Sequence, residues 1–444
     1  MSRLFGTDGV RGVANDDLPP ELAFKLGEAA AHFLGEKGGG SIVVGMDTRR
    51  SGDMLEAAIV AGICAGGADA YRVGIVPTPA VAFLARTLGA DGGVVISASH
   101  NPAEYNGIKF FDRDGFKLPD EVEDEMEEFL VSEVPRTRPV GAGVGRSVVV
   151  TDAVERYVSH AVDSVRGDLV GLTIAVDCGH GAAWRTTVKA LKDLGARVHA
   201  INCDYNGMDI NEASGSTHLE VIADLVQAHE VDFGIAHDGD ADRVLAVDET
   251  GAELDGDVIM AICAAHMKER GELAGDTVVT TVMSNLGFER AMRERGINVI
   301  KTKVGDRYVL DQMRTSGALL GGEQSGHLIF LQHTTTGDGL ITALQLAAIV
   351  RESDMPLSEL RRVMRRYPQV LENVRVADKG LLSGSSEVHD AVRDAESELG
   401  QNGRVLVRAS GTEPLVRVMV EAVDAETARE IVDRIAAVVR REMT

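Results

Sequence analysis

Hydrophobic and polar positions along most of this chain switch between two periods. Short aliphatic runs at 41–45, 71–76 and 94–96 have little polar interruption and read as buried strands. Between them, 51–65 carries Leu55, Ile59 and Ile63 at four-residue spacing, one face of a helix, and 80–88 reads as a shorter helix. Strand–helix–strand alternation of this kind predicts βαβ wiring and a largely parallel sheet. The pattern returns with helix 152–165, strand 172–177, helix 184–194 and strands 197–201 and 231–236. A third unit begins near Asp255, with helix 258–268, strand 277–282, helix 287–295, strand 298–302 and a helix 339–351 capped by Asp338. Helix 120–129 carries many acidic residues. The run 134–145, with Pro135, Pro139 and three glycines, reads as the first linker.

From about Tyr367 the pattern changes. Strands are expected at 370–376, 404–409 and 415–422, and helices at 390–399 and 425–440, the last with Ile431, Val432, Ile435, Val438 and Val439 on one face. The second and third strands are joined by a short loop, so they pair antiparallel. The expected fold is α/β, with three related mixed or parallel α/β domains over 1–145, 146–252 and 253–367, followed by an α+β domain over 368–444.

Composition narrows the function classes. Among 444 residues 44% are hydrophobic but only 4% aromatic, so the cores are built from small aliphatics. The net charge of −24 argues against non-specific nucleic-acid binding, which needs neutralising Lys and Arg, yet leaves room for a local basic pocket. Cys64, Cys178, Cys203 and Cys263 form no CxxC pair, and buried reduced thiols are expected. The first residues lack an apolar signal core, and the longest apolar run, 343–350, is interrupted by Gln345 and is too short to span a bilayer. A cytoplasmic chain with no nucleic-acid or membrane partner is expected.

Four loops carry complementary chemistry. Strand 94–96 runs out into Ser97-Ala98-Ser99-His100-Asn101-Pro102, where Pro102 cannot continue a ladder, so both serines sit at a strand's carboxyl end. Arg11 lies between glycines, and Lys109 lies in an apolar run where desolvation is expected to lower its pKa and fit it for proton transfer. After a buried strand, Asp238, Asp240 and Asp242 repel one another unless a cation binds, and oxygen ligands favour Mg²⁺. The turn with Glu323, Ser325 and His327 offers groups for sugar hydroxyls. The segment with Arg408, Ser410, Gly411, Thr412 and nearby Arg417 offers hydroxyls, backbone N–H groups and guanidiniums for an anion. Taken singly, each of these loops also reads as a plain polar turn. Together they spell phosphoryl transfer on a sugar phosphate.

The motifs GTDGVRG, SASHNP, NGIKFF, DGDADR, GEQSGH and RASGTEP resemble those of the α-D-phosphohexomutase superfamily over essentially the whole chain. The resemblance implies four domains around a central cleft. It implies a phosphoserine at Ser99 rather than Ser97, and one Mg²⁺ on Asp238, Asp240 and Asp242 with a phosphoserine oxygen. Arg11, His100, Lys109 and His327 match positions at the reacting phosphate. Glu323 and Ser325 match readers of sugar hydroxyls, with Arg243 and Lys303 also matching substrate-binding positions. Arg408, Ser410, Gly411, Thr412 and Arg417 match the grip on the distal phosphate. The implied reaction converts glucosamine 6-phosphate to glucosamine 1-phosphate through a 1,6-bisphosphate. A small hexosamine phosphate is the implied partner, and a homodimer is left open. Small departures at Asp209-Ile210-Asn211 and at Ser214 to His218 touch no matched catalytic position. A glucose or mannose phosphomutase, a phosphatase and a non-enzymatic sugar-phosphate sensor are the competing readings.

Overall fold

The strand Ser41–Met46, buried in all but its first residue, runs through the middle of a six-stranded sheet. The computed structural model describes residues 3–6, 8–35, 39–132, 137–410 and 414–443. From one edge this sheet reads Val10–Val13, Tyr105–Asp112, Gly92–Ile96, Ser41–Met46, Asp69–Ile75 and Ser147–Val149. The last four strands are parallel, as the βαβ pattern predicts, and the first two add antiparallel at the Gly92–Ile96 side. Ser147–Val149 lies just past the expected first linker and still extends this first sheet. The edge strand Val10–Val13 is too short and polar to announce itself by period.

The same arrangement recurs twice. A five-stranded sheet runs Glu253–Leu254, Val244–Asp248, Phe233–His237, Thr173–Asp177 and Arg197–Ile201. A four-stranded sheet runs Asn298–Thr302, Thr277–Thr281, Leu320–Gly322 and Leu328–Phe330. In all three, the first strand of the βαβ core is central and has a parallel neighbour on each side. The later neighbour then turns back into an antiparallel strand. That reversal places three loops at the carboxyl ends of parallel strands: 97–104, 238–243 and 323–327. The helix Asp306–Ser316, which buries Val309, Leu310 and Met313, was not evident from the sequence, because the rest of it is polar.

Contacts divide the chain into two compact units, Met1–Val282 with Ile297–Val363, and Met283–Gly296 with Met364–Thr444. The three sheets above belong to the first. The second holds an antiparallel sheet, Gln369–Arg375, Leu415–Glu421 and Arg404–Ala409, with the Leu415–Glu421 strand central. The helices Ser386–Leu399 and Ala425–Met443 supply its core, where Ile431, Val432, Ile435 and Val439 meet Val416, Val418 and Val420. Helix Leu286–Glu294 falls in this unit too. The Asn285 side chain bonds both the carbonyl and the amide of Tyr367, and buried Glu421 accepts from the Leu286 amide and from Arg404. All four cysteines are free, Cys178 and Cys263 buried and Cys64 and Cys203 half-buried. Among the described residues no helix is long and apolar enough to cross a membrane.

Candidate active site

Ser99 sits in the left-handed backbone region at φ 54°, a conformation that costs a non-glycine residue on the order of 1–3 kcal/mol and persists only where its surroundings impose it. The surroundings are specific. The Ser99 carbonyl accepts from Arg49 Nη2 and from Asn211 Nδ2, each at 2.9 Å. The same guanidinium donates to the carbonyls of Asn101 (2.7 Å), Tyr105 (3.0 Å) and Pro102, while its Nε sits on Asp47 at 3.0 Å. The Arg49 side chain is wholly buried. The Ser99 amide donates to Ser97 Oγ at 2.9 Å, so Ser97 is scaffold. The Ser99 hydroxyl is left to point at the acidic loop, donating to Asp238 Oδ2 at 2.7 Å.

The acidic loop is bent to meet it. Ala241 is also left-handed, at φ 53°. A Cβ on Gly239 would stand 2.7 Å from the Ser99 carbonyl oxygen and 2.9 Å from the Asn211 side chain, so only glycine lets the two loops touch. Oxygens of Asp238, Asp240 and Asp242 all lie within 4.8 Å of one another, and all three residues are buried. Lys109 Nζ and Thr78 Oγ1 both donate to Asp240 Oδ2, at 2.7 and 2.6 Å, and Lys109 is 3.7 Å from Asp242. Burial together with Asp242 and Asp240 pushes the Asp238 carboxyl well above the usual range. Burial would raise Asp240 too, but Lys109 holds it below.

Lys109 corrects the expectation drawn from its apolar run. Burial does press its pKa down, but Asp240 and Asp242 outweigh it and lift the ammonium above its ordinary value. The ammonium is held against the two carboxylates, which suits Lys109 to charge compensation.

The triad fits a hard divalent cation on a feature of its own. Oδ1 of Asp240 and Oδ1 of Asp242 are buried and have no hydrogen-bond partner among the described residues. Buried carboxylate oxygens without donors are costly unless a cation takes them.

His100 lies beside the serine, with Nδ1 3.3 Å from Ser99 Oγ and 3.1 Å from Arg243 Nη1. A guanidinium can only donate, which makes Nδ1 an acceptor and the ring neutral. Burial, then the charges of Arg243 and Arg11, lower the His100 pKa in agreement. Arg11 is tied to Asp8 at 3.4 Å. On the third loop, Glu323 accepts from the Gly305 amide at 3.1 Å and is raised by burial. His327 is buried, Ser325 is exposed on the turn between them, and Lys303 is exposed on the neighbouring loop.

In the second unit, Arg408 and Arg417 stand opposite each other on adjacent antiparallel strands, and Ser410 is buried at the end of the first of them. Burial and the Arg417 charge lower the Arg408 pKa. Two facing guanidiniums favour an anion between them. Gly411 and Thr412 lie outside the described residues. Sequence reasoning missed Arg49, Asp47, Thr78 and Asn211. One signal was present: Asp47-Thr48-Arg49 follows the strand Ser41–Met46 at its carboxyl end, where α/β sheets place function.

A loop serine at a buried acidic triad that could hold a cation, with basic side chains and the neutral imidazole of His100 beside the carboxylates, is equipment for phosphoryl transfer. The chain belongs to the phosphoglucomutase/phosphomannomutase family: models of its alpha/beta/alpha domains I, II and III match residues 2–135, 154–251 and 255–367, and that of its C-terminal domain matches 371–438. It is 54% identical to the phosphoglucosamine mutase of Desulforamulus reducens over 99% of both chains, and 55% identical to that of Symbiobacterium thermophilum over 100% of both. A phosphoglucomutase/phosphomannomutase family protein of Burkholderia thailandensis is similar in structure, with TM-score 0.83, 25% identity, and coverage of 100% of this chain and 98% of that one. An Aspergillus fumigatus N-acetylphosphoglucosamine mutase, solved in complex with GlcNAc-6P and magnesium, shares the fold at TM-score 0.71 and 18% identity, over 99% and 96% of the two chains.

Proposed function

We infer that the chain is an isomerase that interconverts glucosamine 6-phosphate and glucosamine 1-phosphate, on the route to UDP-N-acetylglucosamine. The observation that carries this reading is the Ser99 hydroxyl, 2.7 Å from Asp238, in a chain more than half identical along its whole length to phosphoglucosamine mutases. Ser99 works as a phosphoserine. O1 of glucosamine 6-phosphate attacks its phosphorus, the P–O bond to Ser99 breaks, and a 1,6-bisphosphate forms. The intermediate turns around, and Ser99 Oγ takes the phosphoryl group from O6. In each half-reaction one hydroxyl gives up a proton and one leaving oxygen recovers it, so no net proton is consumed.

Asp238, Asp240 and Asp242, with a phosphoserine oxygen, would hold Mg²⁺, which would supply charge stabilisation to the transferring group. The chain's own groups do the rest. Lys109 and Arg11 offset negative charge at the reacting phosphate, and Arg243 keeps His100 neutral beside Ser99. His327 exchanges the proton, Glu323 and Ser325 bind sugar hydroxyls, and Lys303 and Arg243 contact substrate. Arg408, Ser410, Gly411, Thr412 and Arg417 hold the phosphate that is not being transferred.

Coupled assays with glucosamine, glucose and mannose phosphates test the reading. Turnover is expected with the hexosamine phosphates foremost. Preferential turnover of glucose or mannose phosphate, or release of inorganic phosphate in place of isomerisation, rejects it. Asp240→Asn removes one charged oxygen ligand, and should raise the Mg²⁺ concentration needed for half-maximal rate by about tenfold or more. An unchanged metal titration reduces the triad to an acidic turn. Arg417→Ala should raise KM in both directions by similar factors, on the order of tenfold, because the same grip serves the 6-phosphate and the 1-phosphate in turn. An effect in one direction alone rejects a shared grip.

A further inference from the structure

His327 Nε2 faces two groups that ask opposite things of it. The Gly337 amide, 3.2 Å away, donates and so favours a lone pair there. The Asp306 carboxylate, 3.6 Å away, favours a proton. The other ring nitrogen, Nδ1, is buried and has no hydrogen-bond partner among the described residues. The charge state of this ring therefore depends on how negative Asp306 is. Asp306 in turn is held by Lys117, whose ammonium bonds Asp306 Oδ2 and lies 2.9 Å from Asp8 Oδ1. Asp8 lies in the turn just before the strand Val10–Val13 that carries Arg11, 3.4 Å from the Arg11 guanidinium. Lys117 is only 9% exposed, and an isolated backbone bridge to Phe111 ties it to the first sheet.

We propose that Lys117 is a positioning residue that sets the proton occupancy of His327 through Asp306, and that ties the turn before the Arg11 strand to the His327 loop by gripping Asp8 with the same ammonium. The inference rests on the reading of His327 as the proton-exchanging group. With the Gly337 amide donating to Nε2, the neutral ring carries its proton on Nδ1 and Nε2 holds the exchangeable lone pair: Nε2 accepts the proton of the attacking hydroxyl, the ring becomes an imidazolium facing Asp306, and the proton returns to the leaving oxygen. Unopposed, a buried carboxylate beside the ring would hold it as the imidazolium and remove the base. Lys117 neutralises Asp306 enough to prevent that. The charged groups around the ring are Asp306 on its helix, Glu323 on the ring's own loop, and Lys117 and Asp8 behind Asp306. Arg243 stands near Glu323. The couplings follow this layout: Lys117 is pushed up by Asp306 and Asp8 against the pull of burial, and Asp306 is drawn down by Lys117 and then His327.

The test reads the His327 ring directly, by NMR of ¹⁵N-histidine-labelled full-length protein, assigned with His327→Gln, alongside pH profiles of kcat. Lys117→Met should raise the His327 pKa by about one unit or more, a tenfold change in proton occupancy, because Asp306 loses its counter-charge. It should lower kcat at neutral pH by roughly tenfold, with a smaller change in KM, and move the acidic limb of the kcat profile upward by the same amount. Lys117→Met with Asp306→Asn should bring the pKa back down, and Lys117→Arg should keep it near the wild-type value. Should Lys117→Met fold poorly, Asp306→Asn alone carries the test, with an expected fall in the His327 pKa. An unmoved His327 pKa in these variants overturns the proposal, even if thermal stability and activity both drop, since a purely structural strut would do that. The NMR measurement needs no substrate. Failure of the mutase reading would appear separately, as absent turnover by the wild-type protein.

Discussion

Ser99→Ala is expected to abolish turnover while leaving a folded protein. In the proposed mechanism the hydroxyl is the nucleophile of one half-reaction and the leaving group of the other, and Ser97 does not replace it. Ser97 Oγ is occupied by the Ser99 amide and sits on the strand side of the turn. The rate should fall by roughly a thousandfold or more, as when other covalent nucleophiles are removed. The fold should survive because what holds the loop is the Ser99 carbonyl, gripped by Arg49 and Asn211, and alanine keeps that carbonyl. Alanine tolerates the φ of 54° about as poorly as serine, so the backbone strain is common to both proteins. Intact mass before and after phosphatase treatment gives an independent readout: wild-type protein should lose one phosphate mapped to Ser99, and the variant should carry none there. Residual activity above a few per cent of wild type in clean Ser99→Ala protein, or a phosphate on another residue, would overturn the phosphoserine mechanism.

The second large effect is expected from Arg49→Met, and it falls on stability as well as rate. One buried guanidinium satisfies the carbonyls of Ser99, Asn101, Pro102 and Tyr105 and neutralises buried Asp47. Methionine fills much of the volume but leaves those acceptors and the carboxylate unpaired in the interior. Removing one partner of a buried ion pair typically costs about 3–5 kcal/mol. Urea unfolding should show a loss of that order, with activity falling further than the folded fraction, because the loop that aims Ser99 at Asp238 is no longer held. Arg49→Lys should rescue little: a compact ammonium cannot span four carbonyls and a carboxylate as a planar fork does. A change under about 1 kcal/mol with activity retained would mean that the Asn211 contact and the turn itself suffice.

These two residues mark how far the sequence could be read. Ser99 was legible because its neighbours in the chain announce it: an aliphatic strand, two small polar residues, then a proline that ends the ladder. Arg49 was not, because its meaning lies 50 residues away, at the carbonyl of Ser99. Period and punctuation likewise predicted many of the parallel strands and helices, though not the short parallel strands Ser147–Val149 and Leu320–Gly322 nor the helices Pro20–Phe33 and Leu219–Ala228. The edge strand Val10–Val13 and the polar helix Asp306–Ser316 escaped too, having too few apolar positions to show a period. The acidic triad was legible as a candidate cation site from its alternate carboxylates after a buried strand.

The Lys109 side chain shows the limit most sharply. Its apolar neighbours in the chain argue for a lowered pKa, since burial disfavours a charge. The fold puts Asp240, 131 residues further on, 2.7 Å from its nitrogen, and the sign reverses. The sequence by itself determined the local elements, the loops that follow the strands and the chemical types those loops carry, because each depends on residues a few positions apart. Only the tertiary structure decided which serine meets the carboxylates, which cations are fixed, and that Lys117 reaches Asp306 across 189 residues. Coulomb energy and hydrogen bonding depend on distance in space and on burial, and a linear sequence states neither.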